Sequence, residues 1–448
     1  MTYCRFFILS FFVASSAFSN VISYFNQNPQ SSYTDPYRNI SRHGDNLEDV
    51  ILREIKLAKK SIYIAVQELR LPLISKALIE RKKAGVDVRV VLENNYNFTV
   101  LTQRDPSTDN EHEASRIKEL VAFVDVNKNG KLEKEELETR DAVYMLRNAK
   151  IPVIDDTNDA SSGSGLMHHK FMIVDNKTTV ISTANFTMSC IHGDLMVPSS
   201  RGNANSMILV QSSSFAKVFN DEFAQLWGNG DQGSFGHNKT YRGPTTLSVD
   251  GVKLTVQFSP TSQRHNWENS VNGLIADHIA KATKSIKALL FVFSDQKLAD
   301  EMEKRQSIGA DIGVFIEPKF AYRDYSELLD LMGLEMLNTS CSYEADNRPW
   351  KKPAKEVGMA ISPSGDVLHH KFAVIDNKTV IMGSQNWSAA ANFVNDETLI
   401  VIQDSKIADS FNREYERVKQ SALIGPPIRI IKQIRQLEAD CSDNGFYF

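Results

Sequence analysis

The sequence predicts an α/β protein of two similar domains, each with a mixed β-sheet, sharing one reactive centre. Three observations lead there. The run His168-His169-Lys170-Phe171-Met172-Ile173-Val174-Asp175 returns 201 residues later as His369-His370-Lys371-Phe372-Ala373-Val374-Ile375-Asp376, and over the 20 residues from each first His, 9 positions are identical. Helical periodicity alternates with β-branched runs in the same order in both halves, which implies βαβ units and a mixed, largely parallel sheet. The chain has 448 residues, 42% apolar and 24% charged, a globular composition with room for two or more domains.

The elements follow in order. In residues 1–19 Arg5 is the only charge, Phe6–Ala14 is largely apolar, and Ala17-Phe18-Ser19 has the look of a small-residue cleavage site. This reads as a secretory signal peptide and predicts a secreted or periplasmic protein. An apolar run of about nine to thirteen residues is short for a membrane span. Without Arg5 the 51 basic side chains become 50 against 55 acidic, a net of −5. That excludes a global basic field for nucleic acid and counts against a dedicated DNA binder, while leaving room for a nuclease with a local basic cleft. Cys4 falls in the signal, so Cys190, Cys341 and Cys441 allow at most one internal disulfide.

The first domain is expected over residues 20–228. Asn46–Lys60 is helical, Ser61–Leu69 apolar, Leu73–Ala84 helical with Gly85 as its stop, and Val86–Glu93 a strand. The same order recurs at Asn272–Lys284, Ser285–Phe293, Lys297–Ile308, Gly309 and Ala310–Glu317. At an offset of 224, Ala58/Ala282, Ser61/Ser285, Arg81/Arg305, Gly85/Gly309, Asp87/Asp311 and Glu93/Glu317 match. At the histidine runs the offset is 201, so the first copy carries a net 23 extra residues between Glu93 and His168. Gly228, Gly230, Gly233, Gly236 and Gly243 mark a linker, taken as 229–250. The second domain then covers 251–448, ending after Gly425-Pro426-Pro427 in a helix with Ile428, Ile431, Ile434 and Leu437 packed on that domain.

On a strand, residues two apart share a face. His168 therefore aligns with Lys170, and His369 with Lys371, while His169 and His370 point away. Asp175 and Asp376, counted with the catalytic set, fall on the opposite face or at the turn, where ion pairs or the orienting of neighbours suit them. The returning strands offer Thr183 and Asn185, and Ser384 and Asn386, as neutral donors for anionic oxygens. Imidazole serves as nucleophile or, protonated, as general acid. Two opposed imidazoles can divide a phosphodiester exchange through a phosphohistidine, with Lys170 and Lys371 holding the nonbridging oxygens. That chemistry calls for no metal.

These motifs resemble the phospholipase D superfamily signature His-x-Lys-x4-Asp-x6-Gly-Ser-x-Asn. The second copy matches throughout, with Gly383, Ser384 and Asn386; the first has Ser182 and Thr183 at the Gly and Ser positions. The family's trailing Asn-x-Glu is present as Asn395-Asp396-Glu397, but its counterpart Asn203-Ala204-Asn205 ends in an amide. The resemblance implies two α/β/α domains related by a pseudo-two-fold, an active site at their interface, His168 as nucleophile, His369 as acid, and Glu397 in support.

The inserted stretch contains a second motif. Asp125, Asn127, Asn129, Glu133 and Glu136 stand at positions 1, 3, 5, 9 and 12 of an EF-hand-type loop, Gly130 at 6 and Lys131, through its carbonyl, at 7. Helical segments flank it near Glu113–Phe123 and Lys134–Arg147, within an insertion of about 113–147. The expected ion is Ca²⁺, structural and of modest affinity. Arg348-Pro349-Trp350-Lys351-Lys352, with Lys355, either lines the cleft mouth and grips a phosphate-rich headgroup or nucleic acid backbone, or is a solvated charged loop. The expected activity is a phospholipase D-type phosphodiesterase acting on phospholipid at a membrane surface. A nuclease using the same histidines is the alternative, and a calcium-stabilised binding scaffold a third reading. No obligate protein partner is implied.

Overall fold

The protein is described here by a computed structural model over residues 20–102, 111–161, 163, 165–230 and 232–443. The expected signal peptide lies outside these residues. Each half builds one mixed sheet. The first has seven strands in the order Val21–Phe25, Ser206–Gln211, Thr178–Ser182, Lys170–Val174, Ser61–Val66, Asp87–Leu92, Val153–Asp155. The second has nine: Thr245–Val249, Val252–Phe258, Thr398–Gln403, Thr379–Gly383, Lys371–Ile375, Ser285–Leu290, Asp311–Ile316, Glu356–Met359 and Leu423–Ile424.

The mixed α/β class is as expected, but the sheets are not largely parallel. In the first, Ser61–Val66 and Val153–Asp155 run parallel to Asp87–Leu92, and every other pairing is antiparallel. The cause is local. Each histidine run is the first arm of a tight hairpin, and a short turn forces antiparallel neighbours. At the turns Asp175 and Asn176 have φ of 53° and 52°, and Asp376 and Asn377 both have 53°. Asp and Asn tolerate this left-handed region, which accounts for the repeated Asp-Asn pair.

Helices cover both faces. On the outer face of the first sheet, Leu47–Leu57, Pro72–Lys83 and Ala142–Asn148 share an apolar core with it. Val271–Ile279, Gln296–Ser307 and Glu327–Leu331 do the same for the second. The inner helices Ser213–Trp227 and Ser405–Lys419 sit in one core continuous through both halves, with Phe219 against Phe258 at 5.3 Å and Phe25 against Phe411 at 4.9 Å between ring centroids. Ser212 and Asp404 cap them by accepting from Phe215 N–H and Ile407 N–H.

Three expectations change. Thr245–Val249, inside the expected linker, is the edge strand of the second sheet, paired with Val252–Phe258 across Asp250-Gly251. The terminal helix, Ile428–Asp443, packs on the domain through Ile434 and Leu437 as expected, but with Ile430 and Cys441 buried beside them and Ile428 exposed, in keeping with the disulfide Cys341–Cys441. Lys352 and Lys355 share a groove with Lys284, Ser285 and Asn377 at the end of the second sheet remote from Lys371, so this basic loop does not line the cleft mouth. Arg348 is held by Asp300 and Glu303. Cys190 is free and buried.

Candidate active site

His168 and His369 stand just ahead of the strands Lys170–Val174 and Lys371–Ile375, at the seam between the lobes. The seam is stitched by exchanged backbone bonds. His168 N–H donates to Asp396 O at 2.9 Å and Asp396 N–H to Leu166 O at 2.8 Å; His369 N–H donates to Ala204 O at 3.0 Å and Ala204 N–H to Val367 O at 2.9 Å. Each motif therefore lies against the segment that trails the opposite motif, Asn395-Asp396-Glu397 for His168 and Asn203-Ala204-Asn205 for His369.

The side chains cross the same way. His168 Nδ1 bonds the Glu397 carboxylate at 2.7 Å, while His369 Nδ1 bonds Asn205 Oδ1 at 2.9 Å. Asn395 donates to Glu397 at 3.2 Å, and Ser384 also hydrogen-bonds it. Thr183 Oγ1 donates to Asn205 Oδ1 at 2.8 Å. Thr183 and Ser384 are thus not substrate donors: fully buried, they fix the partner of the opposite histidine. Alternation along a strand gives the face of a side chain but not what lies across from it.

Asp175 and Asp376 do not reach the site either, and their partners are amides, not ion pairs. Asp175 accepts from Lys59, Lys60 and Ser61 N–H, and Asp376 from Thr283, Lys284 and Ser285 N–H and the Thr283 hydroxyl. Both are structural clamps at the far end of the hairpins. His169 and His370 point away as expected, to Glu222 at 3.1 Å and Glu414 at 2.7 Å.

Lys170 and Lys371 are 1% exposed, and their ammonium groups touch little protein. Lys170 donates to His168 O at 2.7 Å and weakly to Gln67 Oε1 at 3.4 Å; Lys371 donates to His369 O at 3.0 Å. Burial pulls Lys170 down to about 8. Burial and the neighbouring Lys170 pull Lys371 down to about 7. Burial, then both lysines, holds His168 and His369 well below the usual imidazole range; His168 also acts on His369, so the rings lie within electrostatic reach. Burial pushes Glu397 up to about 7 against the opposing pull of Lys170. One carboxylate against two buried lysines leaves a pocket that favours an anion. Asn185 Nδ2 donates to Gln67, and the buried Oδ1 atoms of Asn185 and Asn386 have no partner.

Gln67 and Phe291, at the same place in the repeat, were not singled out from the sequence. Gln67 touches Lys170 and Asn185; the Phe291 ring lies 4.9 Å from His369 and 4.8 Å from the Lys371 ammonium. Identity between copies was the signal, and these two differ. Gly383 has φ of 154°, and a Cβ there would lie 2.0 Å from Thr398 O. In the first copy Ser182 avoids that geometry and donates to Ser206 O.

Among the described residues, His169, Glu222 and Asp396 form a cluster of metal-ligating type. The cation there is Lys239, 2.5 Å from Glu222 and 2.7 Å from Asp396, with Arg242 also on Glu222. A linker residue thus neutralises the seam.

The calcium-type loop lies between helices Glu111–Val124 and Lys134–Arg140. Its side-chain oxygens accept from the loop's own backbone amides. Asp125 accepts from Asn129 and Gly130 N–H, Asn127 from Asn129 N–H, Asn129 from Lys131 N–H, and Glu136 from Val126 and Asn127 N–H. Gly130 has φ of 76°, as the sharp turn needs. Donor chemistry and turn fit a hard, oxygen-seeking cation.

Comparison with known proteins gives the following. The family described as "Cardiolipin synthase, PLD-like domain" matches residues 51–227 and 275–419, most of the chain and both lobes. Mitochondrial cardiolipin hydrolase of Mus musculus is 27% identical over 174 residues, 38% of this chain and 67% of that protein. Phospholipase D of Rickettsia bellii (strain RML369-C) is 29% identical over 159 residues, 36% of this chain and 65% of that protein. The chain thus spans about two thirds of the length of these relatives. The crystal structure of phosphatidylserine synthase from Haemophilus influenzae Rd KW20 shares the fold, with a TM-score of 0.53 over 89% of this chain and 92% of that one at 12% identity.

Proposed function

The chain belongs to the phospholipase D-like family, and on that premise we propose that it is an exported phosphodiesterase that cleaves, or transfers, phospholipid headgroups through a phosphohistidine. The observation that carries this is a pair of histidines, each oriented from the opposite lobe, beside two buried lysines with little else to neutralise them. The disulfide Cys341–Cys441 supports export to an oxidising compartment.

His168 is the nucleophile. Glu397 holds its Nδ1, leaving Nε2 for phosphorus. The P–N bond forms as the ester P–O bond breaks, and His369 delivers its proton to the departing oxygen. His369, now neutral, takes a proton from water or an alcohol, whose oxygen displaces His168. Lys170, Lys371, Asn185 and Asn386 hold the nonbridging oxygens. Burial and then the two lysines depress His369; an arriving phosphodiester anion opposes the lysine field and favours protonation of the acid when substrate is bound. Asp125, Asn127, Asn129, Lys131, Glu133 and Glu136 would hold Ca²⁺, which braces the insertion and takes no part in bond making.

The second reading is a nuclease using the same residues; the net charge of −4 over the whole chain disfavours it. Purified protein is tested on phosphatidylcholine vesicles, plasmid DNA and single-stranded RNA. Headgroup release that falls by about 10³-fold or more in His168→Ala and His369→Ala is the expected result. Nicking of nucleic acid without headgroup release would replace the lipid reading, and near-normal turnover by either variant would remove the two-histidine scheme.

A further inference from the structure

We infer that the outer edge of the second sheet is a membrane-docking edge, which seats an anionic phospholipid bilayer beside the catalytic seam. The inference rests on the phospholipid reading above. The edge strand is Leu423–Ile424, and its side chains are unusually bare: Leu423 is 41% exposed, Ile424 52%, the following Ile428 77%, and Ile361, next to Ser421, 49%. Scattered apolar side chains on a surface need no explanation, but a group on one open sheet edge does.

The edge is tied to the active site by register. Leu423 pairs with Met359, Met359 with Ile316, Ile316 with Leu290, and Leu290 with Lys371, one row across five strands. At a strand spacing of about 4.8 Å, Leu423 lies about 19 Å from Lys371 on the same end of the sheet. A line of rings runs beside this row. His369 meets Phe291 and Phe291 meets Phe320, each at 4.9 Å, and Tyr322, two residues on, donates to Gly425 O beside the edge strand.

The charges select the occupant. Arg429, within electrostatic reach of Tyr322, and Lys432, one helical turn after Ile428, are exposed beside the aliphatic group, and residues 421–433 contain no acid. Glu356, the nearest strand carboxylate, is held by Tyr415 and Lys419. Aliphatic side chains rimmed by cations fit the boundary between acyl chains and anionic headgroups. A second copy adding a strand to this edge would bring the same cations together, which opposes it.

The test uses the full chain and Ile424→Asp/Ile428→Asp. Both side chains face solvent, and an acid at the start of the terminal helix suits the helix dipole, so the fold is expected to hold. Binding is measured by co-sedimentation with phosphatidylcholine vesicles containing phosphatidylglycerol, and with phosphatidylcholine alone. Wild-type binding is expected to be stronger on the anionic vesicles and to weaken in high salt. The double variant is expected to bind them at least about tenfold more weakly. Its turnover of soluble bis(p-nitrophenyl) phosphate is expected to be unchanged, as a check on the fold. Wild-type-like vesicle binding by the variant overturns the inference, as does a variant that differs only in dissociating a dimer. Headgroup release is scored separately: vesicle binding without release would sink the phospholipid reading and leave the docking edge standing.

Discussion

At the scale of single residues the two histidines are not equivalent, since Glu397 backs His168 and only Asn205 backs His369. A carboxylate suits a ring that becomes cationic on forming the P–N bond. This division of labour is testable with bis(p-nitrophenyl) phosphate, whose leaving group needs no acid. His369→Ala is expected to release about one equivalent of p-nitrophenol in a burst and then stall, because nothing activates water; His168→Ala is expected to give no burst. Stopped-flow absorbance decides, and a burst from His168→Ala alone would exchange the roles. The histidines and lysines were legible from the sequence because repetition of a polar triplet at a fixed distance from Asn185 and Asn386 is improbable in a mere scaffold. The crossing of partners was not. Spacing within a motif says nothing of which lobe a side chain serves, and 229 residues separate His168 from Glu397. Thr183 and Ser384 were misread for the same reason.

At the scale of elements, the stretch between Glu93 and His168 holds the helices Glu111–Val124 and Lys134–Arg140 around an oxygen-rich loop. The terminal helix packs through Ile434 and Leu437 as its period implied, but the burial of Ile430 and Cys441 goes with the disulfide, a tertiary constraint that helical period does not contain. The hairpins overrode the parallel sheet expected from alternating elements. The calcium loop carries its own prediction. With a dissociation constant in the extracellular class, 10 mM Ca²⁺ would stabilise the fold by about 1–3 kcal/mol. Chelator is therefore expected to lower the melting temperature by a few degrees while turnover at 25 °C barely changes. Glu136→Gln, which keeps the helix-capping geometry, is expected to abolish the difference. A melt indifferent to chelator in the parent protein would retire the ion.

At the scale of the whole molecule, the helices of the shared core hold buried acids. Burial alone would raise Glu414, but the Arg417 charge and hydrogen bonds, with His370, bring it down to about 2. Lys239, His169 and Arg242 overcome burial at Glu222 in the same direction. A carboxyl depressed on folding lends stability that is complete above its unfolded value near 4.5 and is lost as pH falls toward 2. The melting temperature is therefore expected to fall steeply below pH 4.5, with on the order of 3 kcal/mol at stake at Glu414. Glu414→Gln is expected to flatten that limb; an unchanged acid profile would assign the loss elsewhere. The exchanged segments at the seam belong to one chain, and that has a consequence for symmetry. Were the lobes separate identical chains, symmetry would impose every replacement on both halves at once, and an amide for an acid would strip both histidines together. In a single polypeptide each copy varies on its own, so Asn205 and Glu397 can differ and the twin histidines are free to take unlike tasks.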